Sequence, residues 1–394
     1  MAVRTRIRHA SRALLLAGAL AALGAAAQPR SPERITPLLT SVLSAPMPFE
    51  GSDGQTHLVY ELWIENFSSA DAVVEKIEVL DGSRVLFTLE GEALASRLQP
   101  GGQREASATM ARSTFGFAPM HIRLPIGTAV PARLGHRITA KVLAAPPGQQ
   151  QITSAGAEVM VDRRAPIVVG PPLKGGNYIA ADACCDAVRH TRAALPVNGR
   201  IRLAQRFAVD WEQVDAQGRI YNGPQQALES YAIFGQRALA VADARVASVL
   251  DGLAEQLPGT YPTHIPIEHA DGNSVVLDLG GGRYALYAHL QPGSITVVAG
   301  DRVRRGQVLG KVGNSGNSVA PHLHFHVMDG PSPLASNGLP YRIDDFEVSG
   351  HAASTAAFDE AEAKGTPLAM TTVAPPQRVR RRMPMDLSIV AFPR

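Results

Sequence analysis

The sequence predicts an all-β protein with two β portions, and three patterns indicate this. Residues 58–65, 73–79 and 136–142 alternate between apolar and polar side chains, as expected for strands with one face in a core. Asp-Gly and Pro-Gly pairs, which favour turns, separate these runs at short intervals. Between residues 298 and 318, glycines recur around short Val/Leu pairs, which is typical of tight hairpins in a compact, coiled β-structure.

The first β portion spans residues 31–165. Short strands at this spacing favour a β-sandwich of the immunoglobulin-like kind. Its histidines, His57, His121 and His136, are far apart in the sequence. We therefore expect each of them to be a packed or surface residue rather than a metal ligand.

Three further regions complete the predicted organisation. Residues 166–200 are interrupted by proline and glycine and read as a connector. Residues 201–347 are again rich in strand-forming segments and predict a second β domain. Residues 350–394 contain one candidate helix, 352–363, and end in a basic, proline-flanked stretch. We expect this last region to be a solvated, partly disordered tail.

The first 27 residues predict a secretory signal peptide. They carry four arginines and no acid, and residues 13–27 form an apolar stretch that ends in small side chains. This stretch is short for a membrane anchor, since a span needs about 20 apolar residues. We expect export to the periplasm or the medium, with cleavage of the signal.

The net charge, and the hydropathy of the residues after the predicted signal peptide, exclude two classes of partner. The formal charge of +3 would fall to −1 without the four arginines of the signal, so nothing indicates a nucleic-acid partner. No later apolar run approaches the length of a membrane span, and we expect none after signal removal. The two cysteines, Cys184 and Cys185, are adjacent; we favour a local loop feature over a metal-ligand or redox role.

The residues most suited to metal binding or acid–base catalysis are concentrated in one short segment. His322, His324 and His326 are spaced two apart, so on a strand they share one face, while the intervening side chains can enter a core. Imidazole is the usual zinc ligand and the usual acid–base group near neutral pH. A polar strand face is the alternative. A fourth histidine, His289, ends the amphipathic stretch 283–290 just before a Gln-Pro-Gly turn.

The order of motifs around these histidines resembles a known family. Tyr-x-His-Leu ends at residue 290, Val-x-x-Gly-Asp-x-Val-x-x-Gly-Gln-x-Leu-Gly covers 297–310, and Gly-Asn-Ser-Gly-Asn-Ser and Pro-His-Leu-His-Phe follow at 313–318 and 321–325. This set is similar to the lysostaphin/LytM family of zinc metallopeptidases, which cut peptide cross-links of bacterial peptidoglycan. The resemblance covers about residues 200–345 and not the first β portion.

The resemblance implies a fold and a set of roles. The fold would be a lysostaphin-type coiled antiparallel β-sheet, similar to a barrel-sandwich. His324 matches a ligand of the Zn²⁺ cofactor, and His322 and His289 match the two catalytic histidines. Asp210 matches the aspartate of an upstream His-x-x-x-Asp pair of ligands. Peptidoglycan stem peptides would be the substrate.

One position departs from the family pattern. Arg206 stands where the first ligand histidine belongs, and a guanidinium has no lone pair to offer a metal. If residues 206–210 form a strand, Arg206 and Asp210 share a face, and a salt bridge between them would fill the metal site.

Another histidine could replace the missing ligand. His326 lies on the same strand face as His324, and His190 lies in the connector, which could fold over the site. Two loop histidines, His264 and His269, are weaker candidates. A three-ligand site with one open position would then persist.

Two functions therefore stay open from the sequence. The first is a zinc metalloendopeptidase acting on peptidoglycan cross-links. The second is a catalytically inactive module with a degenerate zinc site, which binds the cell wall or activates other cell-wall hydrolases. A biotin- or lipoate-carrier hairpin is disfavoured, because the turn at 313–318 has no lysine.

Overall fold

The protein is all-β, as predicted. The computed structural model describes residues 34–103 and 105–392, and the predicted signal peptide lies outside them. Strands account for 47% of the chain and helices for 7%. Residues 37–394 cluster as one compact unit; of the other unit, residues 1–36, only 34–36 are described. None of the helices in the described part combines the length and apolar composition that a membrane crossing requires.

Residues 38–160 form two antiparallel sheets. Their elements are β1 (Leu38–Val42), β2 (Phe49–Glu50), β3 (Gln55–Asn66), β4 (Ala72–Asp81), β5 (Arg84–Glu90), helix α1 (Gly91–Ala95), β6 (Gln99–Pro100), β7 (Thr109–Met110), β8 (Phe115–Pro125), β9 (Arg133–Val142) and β10 (Gln151–Met160). One sheet has the order β1–β3–β8–β6, with β2 also paired with β3, and the other has the order β10–β9–β4–β5, with β7 beside β4.

Both sheets contribute to one core. Leu58, Tyr60 and Leu62 of β3 pack with apolar residues of β4 and β9, such as Ile77 and Ile138. The two sheets therefore pack against each other around one shared core. Strand β3 is buried on its second face as well, and this face belongs to the contact with the large sheet described next.

Residues 167–392 form a larger sheet and its hairpins. Their elements are β11 (Ile167–Val169), β12 (Gly175–Ala181), helix α2 (Val188–Thr191), β13 (Leu195–Val197), β14 (Arg200–Arg202), β15 (Val209–Gln213), β16 (Arg237–Leu239), β17 (Ala244–Leu250), β18 (Asn273–Gly280), β19 (Arg283–Leu290), β20 (Arg302–Val303), β21 (Val308–Lys311), β22 (Leu323–Met328), β23 (Gly338–Leu339), β24 (Tyr341–Ala352), helix α3 (Thr355–Lys364), β25 (Met370–Arg382) and β26 (Ser388–Phe392). Short 3-10 helices occur at Leu228–Ser230 and Ile267–His269.

The large sheet has the order β11–β24–β26–β12–β15–β22–β19–β18–β17–β20, with β23 beside β22 and β25 beside β24. Two smaller pairs, β13–β14 and β16–β21, complete the fold. The strands that carry the predicted site, β15, β22 and β19, are adjacent near the middle of this order.

Two predicted boundaries differ from the structure. The predicted connector contains β12, which pairs with β15 and β26 inside the large sheet. The predicted tail is also ordered: β26 carries buried Val390 and Phe392, and β25 pairs with β24 at the sheet edge. Proline is tolerated in an edge strand, because its missing N–H need not pair, so the basic proline-flanked stretch can form β25.

Candidate metal centre and catalytic cleft

Strand register brings the predicted site residues together. Asp210 of β15 lies opposite His324 of β22, and Ala288 of β19 lies opposite His324 on its other side. Asp210 and His324 therefore project from neighbouring strands, and His289 follows one residue later at the end of β19. Trp211 and Phe325, the next residues along β15 and β22, point into the core.

Three side chains form a metal-ligand group. His324 Nδ1 lies 2.8 Å from Asp210 Oδ1, and His190 Nε2 lies 3.4 Å from Asp210 Oδ2. The three ligand atoms all lie within 4.8 Å of one another. Two imidazoles and one carboxylate are a donor set that zinc takes in catalytic sites, where a fourth position stays open. The residues present thus fit a zinc ion.

His190 comes from the predicted connector, on helix α2. Its Nδ1 lies 2.7 Å from the carbonyl oxygen of Asp182. Because a carbonyl only accepts, Nδ1–H is the donor, and Nε2 is the nitrogen that faces Asp210 and that would lose its proton to bind a metal ion. Burial lowers the pKa of His190, but the Asp210 carboxylate outweighs this and raises it to about 9. The surroundings of Asp210 therefore favour a positive charge.

His289 and His322 stand beside this group. Their ring centroids are 4.6 Å apart, and His322 Nε2 lies 3.5 Å from Asp210 Oδ1. Each ring is oriented by a carbonyl at 2.8 Å, Ser315 O for His289 Nδ1 and Ala320 O for His322 Nδ1. Burial, together with the charges of His322 and His324, holds the pKa of His289 well below its usual range. His289 is accordingly a neutral imidazole.

His326 lies outside the group formed by His190, Asp210 and His324, so the geometry favours His190 over His326 as the substitute ligand. Its Nδ1 lies 2.9 Å from His324 Nε2, on the far side of the His324 ring from Asp210. The two-residue spacing correctly places both rings on one strand face, but only His324 is opposite Asp210 in the strand register. His264 and His269 also stay outside the groups that could hold a metal among the described residues.

The Arg206–Asp210 salt bridge that the sequence left possible is not formed. Arg206 Nη1 instead lies 2.6 Å from Glu61 Oε2 of β3, and both side chains are buried. The expectation assumed that residues 206–210 are one strand. Residues 204–207 form a turn, and β15 begins only at Val209, so the shared-face argument does not apply.

A cleft of about 380 Å³ opens over the centre. Its walls include Asp210, His289 and His322, together with Glu212 of β15 and Glu362 of α3. The sequence predicts the helix but gives no signal that it borders the site. Burial, and then the neighbouring Glu362, Asp210 and Asp182 charges, raise the pKa of Glu212 well above its usual range. Burial likewise raises the pKa of Glu362.

Two histidines of the first β portion that are far apart in the sequence lie together in the structure. His57 Nδ1 lies 2.8 Å from His121 Nε2, and His121 Nδ1 lies 2.9 Å from Asp186 Oδ2. Cys185 lies beside them and forms a disulfide with Cys184. These histidines converge because β3 and β8 are paired and both carry one against the loop that holds the cysteines. His136, by contrast, is simply packed, with Nε2 2.7 Å from the Tyr60 hydroxyl.

Fold and site together define a class: a β-sheet protein whose cleft holds a carboxylate–imidazole ligand group flanked by two further imidazoles. Residues 230–336 match the model of Peptidase family M23, so the chain carries an M23 peptidase domain over this segment. His289, His322 and His324 lie inside the matched segment. Asp210 and His190 lie before it.

Solved structures of similar proteins include three peptidases. The catalytic domain of lysostaphin from Staphylococcus simulans is 21% identical and aligns over 42% of this chain and 88% of its own, with a TM-score of 0.23. The M23 metalloprotease pseudoalterin, from the deep sea, is 14% identical over 54% of this chain and 99% of its own, with a TM-score of 0.28. A zinc-containing peptidase from Vibrio cholerae is 15% identical over 73% of this chain and 81% of its own, with a TM-score of 0.21.

Proposed function

We propose that the protein is a zinc metalloendopeptidase that hydrolyses the peptide cross-links of bacterial peptidoglycan. The main observation that supports this proposal is the ligand group of His190, Asp210 and His324. A histidine from another element stands beside Asp210, while Arg206 pairs with Glu61 instead. The M23 match over 230–336 supports the reaction class, and stem peptides are the substrate that this class suggests.

The chain's own groups account for binding and proton transfer. His190, Asp210 and His324 would hold zinc, which when bound supplies Lewis acidity, acidifying water and polarising a carbonyl group. His289 is neutral and oriented through Nδ1, so its Nε2 can accept a proton from water in the cleft. Once protonated, the imidazole pair of His289 and His322 can stabilise charge developing on the carbonyl oxygen and return a proton to the leaving amine.

We also propose that the protein is exported. A predicted signal peptide at residues 1–27 would export the chain to the periplasm or the medium, where peptidoglycan is accessible. The alternative is a catalytically inactive module that binds the wall or activates other cell-wall hydrolases. Arg206, in the place of the family's first histidine ligand, is the observation in its favour.

Metal content and hydrolysis distinguish these functions. We expect the full chain to bind about one zinc ion, in line with a three-ligand catalytic site, and to release new amino groups from purified peptidoglycan. His190→Ala should lose both properties, whereas His264→Ala, which alters an exposed histidine outside the ligand group, should retain them.

A different set of results would identify the inactive module. A chain that binds no zinc, leaves peptidoglycan intact and yet stimulates a purified wall hydrolase is the inactive module. Zinc binding that survives His190→Ala but not His324→Ala would show that the third ligand has been misassigned.

A further inference from the structure

A second group of metal-ligating side chains lies where the first β portion contacts the large sheet. His57 of β3 and His121 of β8 are diagonal neighbours on one sheet face, because Val59 is the residue paired with His121. Cys185 comes from the loop before α2. One ring nitrogen of each histidine and the Cys185 sulfur all lie within 4.8 Å of one another. All three residues are buried, so their convergence needs a physical reason.

A carboxylate holds the outer nitrogen of each ring. His57 Nε2 lies 3.0 Å from Asp53 Oδ1, and His121 Nδ1 lies 2.9 Å from Asp186 Oδ2. An ionised carboxylate only accepts, and Asp186 also pairs with Arg97 at 2.6 Å, so each outer nitrogen carries a hydrogen. A histidine that binds a metal ion is typically oriented in this way, by a carboxylate on the nitrogen that does not bind.

The two inner nitrogens face each other. His57 Nδ1 and His121 Nε2 are 2.8 Å apart. Two neutral rings in these tautomers would hold lone pair against lone pair, so a positive charge must lie between them, either a shared proton or a metal ion. The sulfur beside both nitrogens favours the metal ion, because imidazole and thiolate together are a donor set for zinc. With zinc–nitrogen bonds of about 2.0–2.1 Å, a tetrahedral ion needs the nitrogens to separate by only about 0.5 Å more.

Cys185 can be a strong ligand only in its reduced form. In the structure its sulfur is bonded to that of Cys184, and the thiolate is the form that binds metals. A dithiol reductant supplies two electrons: it becomes a disulfide, the bond between the two cysteines breaks, and two hydrogens pass to their sulfurs. The Cys185 thiol then releases its proton to solvent as the metal ion binds. A cavity of about 230 Å³ is lined by Cys185 and Asp186 and gives the cluster an approach from solvent.

We propose that His57, His121 and Cys185 form a second metal site, for zinc or a similar thiophilic divalent ion, when the Cys184–Cys185 disulfide is reduced. The site does not depend on the proposed peptidase function, since it shares no residue with the cleft or with its ligand group. A bound ion would join two strands of the first β portion to the loop that leads to α2.

Cobalt(II) tests the site, because a thiolate bound to Co²⁺ gives a strong near-ultraviolet charge-transfer band that imidazole and carboxylate ligands do not give. The ligand group in the cleft contains no sulfur, so the band reports the second site alone. For the full chain titrated with Co²⁺, we expect no such band in the oxidised form. After reduction by a phosphine, removed without air, the band should appear and bound cobalt should rise by about one ion per chain.

Two single substitutions give a matched pair. Cys184→Ala and Cys185→Ala each abolish the disulfide and each leave one buried thiol, but only Cys184→Ala keeps the thiol at the two histidines. Cys184→Ala should therefore show the band and the extra ion without reductant, and Cys185→Ala should show neither. His121→Gln added to Cys184→Ala should weaken cobalt binding at this site at least about tenfold, since loss of even an outer partner costs that much.

The outcomes also separate the two metal sites. His324→Ala alters the ligand group in the cleft and should keep the band after reduction; its loss there would assign the sulfur to that group and overturn the second site. Absence of both the band and the extra ion from the reduced wild type overturns it too, and leaves a shared proton between the histidines. Extra cobalt without the band, equal in the two cysteine variants, also contradicts it. Should Cys184→Ala fail to fold, the reduced wild-type chain still decides.

Discussion

His324 uses both ring nitrogens, and this explains its neighbour. Its Nδ1 faces Asp210, so in a metal-loaded site that nitrogen supplies a lone pair and Nε2 carries the proton. His326 Nδ1, 2.9 Å away, is then the acceptor of the Nε2–H bond. Burial keeps the pKa of His326 well below its usual range, so His326 stays neutral and can accept. Such second partners fix the tautomer and orientation of a ligand histidine.

We expect His326→Ala to weaken zinc binding without abolishing it. Loss of an outer hydrogen bond of this kind costs about 10- to 100-fold in metal affinity. His326→Gln should recover part of the loss, because its amide oxygen can still accept from His324 Nε2. Chelator competition measures the three affinities. An unchanged affinity in His326→Ala, or complete loss of zinc, would contradict this role.

The same residues show what the sequence can and cannot predict. The alternation at 322–326 predicts the shared strand face, because that follows from strand geometry alone. The choice of His190 over His326 depends on how the connector packs, which has no local pattern. The Arg206 expectation failed for a local reason: a turn at 204–207 replaces the assumed strand.

At the scale of elements, the last strand, β26, packs against the part of the sheet that carries the site. β26 lies between β24 and β12, and β12 pairs with β15, which carries Asp210 and Glu212. Phe392 of β26 packs its ring 5.2 Å from Trp211, the residue between those two acids. A basic, proline-flanked end is typical of a disordered tail, so composition missed this strand; the apolar run 388–392 was the available signal.

Phe392→Ala tests this support. A phenylalanine truncated in a well-packed core costs about 3–5 kcal/mol of unfolding free energy. Phe67→Ala removes the same atoms from a largely exposed position and should change stability by less than about 0.5 kcal/mol. Chemical denaturation compares the two variants. Equal, small effects would mean that β26 does not contribute to the core around Trp211.

At the scale of the whole molecule, the residue that departs from the family pattern joins the two β portions. Alternate residues of β3, such as Tyr60 and Leu62, face the sandwich core, while Glu61 faces the large sheet and meets Arg206. Burial raises the pKa of Glu61 in spite of the Arg206 charge, so the pair is set in a poorly solvated contact. Arg206 also donates from Nη2 to the Gly338 carbonyl.

Removing one partner of this pair should therefore cost more than removing both. Arg206→Met leaves Glu61 buried without its cation, and breaking a buried pair in this way typically costs about 3–5 kcal/mol. Adding Glu61→Gln to Arg206→Met should recover part of that loss, since the uncompensated charge is gone. Arg133→Ala, which breaks the exposed pair with Glu158, should cost less than about 1 kcal/mol. Denaturation curves give all three changes in unfolding free energy.

Zinc content should stay near that of the wild type in the folded variants. The reason is that Arg206 joins the two β portions and does not contact Asp210. A loss of zinc in Arg206→Met that matches His190→Ala would contradict this division of roles.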